Sequence, residues 1–158
     1  MADAATINTW LGELGRRCEL DLALDDQGLC GFQLNPDLPC HIQWVPEVPY
    51  LYWTITLAVI PGEAGPRRAE IINTCCAWNF LEEKTNGTQL ALDPDGRLIL
   101  MTFRRALTHL DQTAFINITG NLMDTALVLF DHLRRFNQTE APPQPARAPL
   151  WLPPSQLA

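Results

Sequence analysis

Ile7, Trp10, Leu11 and Leu14 fall at i, i+3, i+4 and i+7, the spacing of one helix face, and predict a helix over residues 4–17. Asp3 or Thr6 can cap its start, and Gly15 stands near its end. The pattern then changes. Leu20, Leu22 and Leu24 precede the polar turn Asp25-Asp26-Gln27-Gly28, and Leu29, Cys30, Phe32 and Leu34 follow it, so at least one strand is expected here, at 29–34. Asn35-Pro36-Asp37 has turn chemistry, and behind it Cys40, Ile42 and Trp44 alternate until Pro46 and Pro49 stop the run. From Tyr50 to Ile60 a long strand is predicted, with Leu51, Trp53, Ile55, Leu57 and Val59 on one face and Tyr52, Thr54, Thr56, Ala58 and Ile60 on the other.

Pro61-Gly62 ends that strand, and Pro66 opens a second helix carrying Ile71, Ile72, Cys75, Cys76, Trp78, Asn79 and Phe80. Its apolar arc is too wide for one contact, which implies cover on more than one side. Asn86-Gly87 breaks it. Leu90 and Leu92, the turn Asp93-Pro94-Asp95-Gly96, and Leu98, Leu100 and Thr102 then form a hairpin within residues 88–107. A final helix comes after Leu110-Asp111-Gln112, with Phe115, Ile118, Leu122, Ala126, Leu129 and Leu133 at threes and fours up to Arg134-Arg135. Gly120 is a small internal cost to it.

The predicted order is α-β-β-β-α-β-β-α: an α+β domain whose twisted antiparallel sheet packs on helices. No internal repeat is visible. Residues 1–136 make one domain. Past Phe136 the composition shifts, because six prolines fall within residues 137–158 and none can join a ladder or a helix interior. That Pro-rich, flexible C-terminal tail is expected to be dispensable for folding, so a chain ending at Asn137 should melt close to the full one.

Composition narrows the function. The 158 residues carry eighteen acidic and eleven basic side chains, a formal charge of −7, so the average surface repels phosphate backbones and anionic lipid. Nucleic acid and membrane insertion are disfavoured. Cys18, Cys30, Cys40, Cys75 and Cys76 are odd in number and lack C-x-x-C spacing, which points to a reducing cytoplasm rather than a disulfide framework or zinc site. Met1 to Trp10 lacks the basic start and apolar run of a signal peptide, and no stretch suggests the roughly 20 apolar residues of a membrane span.

Motifs for catalysis are missing. There is no G-x-S-x-G, P-loop or dinucleotide fingerprint, and Asp93-Pro94-Asp95-Gly96 lacks the further oxygen ligands of a calcium loop. Cys40 beside His41 reads as a structural thiol next to a surface imidazole, and Glu82-Glu83 as a solvated helix end. No enzyme activity, metal or cofactor is expected.

From about Trp10 to Phe136 the chain resembles the class I type III secretion chaperones of the CesT/Tir-chaperone family. The element order matches. Leu20 to Leu34 stands in the place of that family's L-x-L-D-x-x-G-x-C-x-L opening, and Ile72 to Asn79 is similar to its second helix. Leu90-Ala91-Leu92-Asp93 through Leu107, Leu110 and Asp111 resembles its hairpin and the approach to its last helix. The resemblance implies a cytoplasmic homodimer that binds the amino-terminal segment of a secreted effector in extended form without ATP. The secretion ATPase is a further candidate partner.

A non-globular peptide can join a sheet edge by main-chain hydrogen bonds while alternate side chains enter apolar pockets. The effector-binding residues expected on this basis are Trp10, Leu11, Leu14, Phe32, Leu34, Ile42 and Trp44, some of which must serve the core. Those expected at the dimer interface are Ile71, Ile72, Cys75, Cys76, Trp78, Leu98 and Leu100. Two other readings compete: an adaptor of the same fold with no secretion role, and a small-molecule-binding α+β domain. A co-purifying effector would separate the first, and a closed apolar pocket with convergent polar groups would favour the second.

Overall fold

The computed structural model describes residues 2–60, 64–81 and 84–138. Pro61-Gly62, Glu82-Glu83 and residues 139–158 of the proline-rich tail lie outside the described residues. Helix α1 (Ala4–Cys18) is followed by strands β1 (Leu29–Gln33), β2 (Pro39–Trp44) and β3 (Tyr50–Val59), helix α2 (Pro66–Leu81), strands β4 (Gln89–Leu92) and β5 (Leu98–Ala106), and helix α3 (Gln112–Gln138). The α+β order is the one predicted, with a single 3₁₀ turn at Leu107–His109 added.

Local chemistry sets the helix starts. Asp3 caps α1 by accepting from the Thr6 N–H, and Asp111 caps α3 by accepting from the Ala114 N–H at 2.8 Å. In the β4–β5 turn, Asp93 Oδ1 accepts from the N–H groups of Leu98 and Arg97, both at 2.6 Å, and Gly96 supplies a φ of +64°. The Leu98 N–H, with Arg97's help, holds the Asp93 carboxyl below its ordinary value. The hairpin's share of stability is therefore present above the unfolded carboxylate pKa and fades as pH falls through the lower folded value.

The five strands form one antiparallel sheet in the order β1-β2-β3-β5-β4. Register puts Cys30, Ile42, Trp53 and Phe103 in one row and Cys40, Ile55, Met101 and Leu90 in the next, all on the face that α1 and α3 cover. Trp53 meets Phe115 of α3 at 5.9 Å between ring centroids, and Phe115 meets Trp10 of α1 at 5.8 Å. The Trp53 indole N–H donates to Thr119 Oγ1 at 3.0 Å, which satisfies the one polar atom of that buried ring. The cluster continues through Leu122, Ala126, Leu129 and Leu133 along α3.

This packing explains why Gln112–Arg135 is long and apolar enough to cross a bilayer, at a mean hydropathy of 1.3: one side of it is core. The absence of any such stretch, expected from the sequence pattern, is corrected here. A second departure lies in β3. The strand alternates as predicted to Leu57, but its register against β5 shifts between Thr56 and Ala58. That irregularity reverses the alternation, so Val59 is 70% exposed while Ile60 is buried.

Candidate functional site

A sheet of this order has two edges, β1 and β4, and the structure treats them differently. On β4, the Asn79 side chain of α2 accepts from the Leu90 N–H and donates to the Leu90 carbonyl, each at 2.8 Å. One amide thus takes both outward main-chain groups of Leu90, and of this short strand only Leu92 is left with outward groups to offer. Asn79→Ala removes both bonds at a largely covered position, and is expected to cost about 2–3 kcal/mol in chemical denaturation. A loss under about 0.5 kcal/mol would show water replacing the amide at no cost.

On β1 the outward groups stay open. Gly28 and Leu34 bond inward, to the Trp44 N–H and the Leu38 carbonyl, so alternation turns Leu29, Gly31 and Gln33 outward. The Asp25 carboxylate and main-chain N–H occupy the outward groups of Leu29. Gly31 and Gln33 have no partner for theirs among the described residues.

Apolar side chains flank this open edge. Phe32 and Leu34 are half-buried against the core, and Trp44 is half-buried at the end of β2. Trp44 also lines a recess of about 330 Å³ shared with Asn8, Leu24, Gly28 and Pro46. The recess exists because residues 19–27 form no strand and run beside α1 instead, tied where Asn8 Oδ1 accepts from the Leu24 N–H at 2.8 Å. Gly28 closes its floor at a φ of +75°, where a Cβ would stand 2.2 Å from the Trp44 carbonyl oxygen, so no other residue fits.

Residues 9–129 match the Tir chaperone protein (CesT) family. The chain belongs to the CesT family. Its fold is similar to a chain of the ExsC-ExsE complex, at 16% identity over 80% of this chain and 92% of that one, with a TM-score of 0.62. It is similar also to a chain of the HopA1-SchA chaperone-effector complex, at 18% identity over 85% and 99%, TM-score 0.60. A third likeness is to the ExoU-SpcU heterodimer from the type III secretion system of Pseudomonas aeruginosa, at 17% identity over 79% and 95%, TM-score 0.56. At these identities the likeness is one of fold. No curated protein matches the chain in sequence.

Within this CesT-family fold the expected effector-binding residues separate into two groups. Trp10, Leu11, Leu14 and Ile42 are buried in the protomer core, because the α1 face and the covered sheet face have only each other to pack on. Phe32, Leu34 and Trp44 keep accessible surface and sit together along the β1 side. Of the residues expected at a dimer interface, Ile71 and Cys75 are likewise core. Ile72 and Trp78 are half-buried, Trp78 against the His132 ring at 6.0 Å. Leu98 and Leu100 are half-buried on the uncovered sheet face. Cys76 is exposed.

The outer face of α2 is uncovered in the protomer, against the cover on several sides that its composition implies; Phe80 there is 83% exposed. Burial also makes the interior thiols inert: it pushes Cys40 and Cys75 up to about 11, far from the thiolate form at neutral pH. His41 lies on the opposite sheet face from Cys40, so the adjacent pair forms no joint site. The sequence pattern does not mark Asn79 or Gly31 as functional. Asn79 sits inside an apolar run, and only the pairing order reveals that Gly31 is an edge residue.

Proposed function

We propose that this CesT-family protein is a type III secretion chaperone that holds the amino-terminal segment of a secreted effector in extended form, in the cytoplasm and without ATP. The observation that carries this reading is the open β1 edge, with bare main-chain groups at Gly31 and Gln33 and the half-buried Phe32, Leu34 and Trp44 beside it. An added strand would satisfy the first and seat alternate side chains against the second. The protein then acts by occupancy, and no bond is made or broken.

The partner is to be identified by co-purification from the native cytoplasm with mass spectrometry, and its binding measured by calorimetry with and without ATP. Phe32→Glu and Trp44→Glu each remove a large apolar contact worth about 3 kcal/mol, so affinity should fall roughly a hundredfold. The melting temperature should hold. Unfolding of both variants would place these residues in the core and remove the site from the β1 side.

The proposal includes a homodimer, supported by apolar groups that the protomer leaves exposed or half-buried: Phe80, Cys76 and Ile72 on α2, Val59 at the end of β3, and Leu98 and Leu100 on β5. Sedimentation at micromolar concentration should give twice the 17.7 kDa of the chain. Ile72→Asp should yield monomer or insoluble protein. A monomer in the unaltered chain would reject the dimer.

A further inference from the structure

None of the five strands contains an aspartate or glutamate, although the chain carries eighteen acidic residues. The face of the sheet away from α1 and α3 is therefore neutral except for His41 and Arg104. Arg104 stands opposite Tyr52 in the register, and its guanidinium carbon lies 5.1 Å from the centroid of the Tyr50 ring. The Tyr50 and Tyr52 rings are themselves 6.5 Å apart, so the cation is set against a pair of aromatics.

Beside it opens a recess of about 440 Å³, lined by Tyr52, Gly87, Gln89, Thr102, Phe103 and Arg104. Gly87 has nothing within 4 Å of where a Cβ would be, which leaves space at the rim. Arg104 is exposed and pairs with no carboxylate among the described residues.

We infer that this recess binds a carboxylate side chain carried by an extended segment of another polypeptide that lies on the uncovered face of the sheet. Stacking on Tyr50 occupies one face of the guanidinium and leaves its N–H edge for two parallel bonds to a carboxylate. The Tyr52 hydroxyl and Gln89 amide are further donors at the same recess. The Thr102 hydroxyl is not, since it donates to the Gln89 carbonyl at 3.3 Å.

A single cation suits a singly charged group better than a phosphate. The net charge of −7 opposes capture of a free small anion. A segment with neutral flanks offsets that repulsion through contacts along the half-buried Thr54 and Thr56, which continue the same face. The site is separate from the β1 edge, three strand spacings or about 14 Å across the sheet. It does not rest on effector binding there.

The test uses the full-length labelled protein on an array of capped nonapeptides with varied neutral flanks and Glu, Gln or Lys at the centre. Glu-centred peptides should bind roughly tenfold more tightly than their Gln counterparts, with the difference shrinking as salt is raised. Arg104→Gln should abolish the preference and Tyr50→Leu should weaken it, each with an unchanged melting temperature. Arg105→Gln, on the opposite sheet face, should keep it. Equal binding of Glu and Gln peptides, a preference that survives Arg104→Gln, or succinate displacing the peptides at their own concentration would each overturn the assignment.

Discussion

Phe115→Ala is expected to lower the melting temperature by roughly 10–15 °C, the largest stability loss of any single truncation in this chain. Phe115 is fully buried and sits between Trp10 of α1 and Trp53 of β3, so its ring is the joint that locks both helices to the sheet. Removing such a ring costs about 3–5 kcal/mol, as lost transfer energy plus a cavity the stiff surroundings cannot close. Against a total stability of about 5–15 kcal/mol, a large fraction disappears. Phe115→Leu keeps most of the volume and should cost under about 1.5 kcal/mol. Equal effects of Ala and Leu would mean that the aromatic stack, rather than the filled volume, holds the helices.

Gly31→Pro is expected to abolish effector binding while leaving the fold intact. The Gly31 N–H points away from β2, so no ladder bond is lost when proline removes it, and proline is tolerated on an edge strand for that reason. A Cβ there would meet the His41 ring at 3.4 Å, which is an ordinary contact. The substitution destroys one donor, and a ring takes its place along the line where a new strand must approach. Calorimetry should show binding weakened by at least about a hundredfold, while the far-ultraviolet spectrum and melting temperature stay near those of the parent. Undiminished binding would rule out strand addition at β1, and the apolar contacts alone would have to account for the complex.

The strands are legible in the sequence where one rule acts alone. Leu51, Trp53, Ile55 and Leu57 alternate because one face of β3 is covered, and a period of two has no other cause. Val59 breaks the pattern because a register shift against β5 is a property of two strands, and neither sequence contains it by itself. Leu20, Leu22 and Leu24 alternate too, yet they join no ladder: Leu22 is buried and Leu24 half-buried beside α1, while Leu20 is 41% exposed, so alternation alone does not make a strand. The site is less legible for a related reason. Trp10 and Phe32 are equally apolar in sequence, and only the assembled layers decide which of them faces solvent.

The closed β4 edge has a consequence for self-association. Open-ended stacking of sheets needs two usable edges per molecule, so that each added copy presents a fresh acceptor to the next. With the Leu90 main chain held by Asn79, β4 has only Leu92 left to offer, too short a run for β1 of another molecule to continue onto, and the favoured pairing joins β1 to β1. Such a pair uses up both free edges and ends there. A protein that keeps a bare strand edge in a crowded cell is thereby a chain terminator and not a seed for fibres, because of one amide on the far side of the sheet.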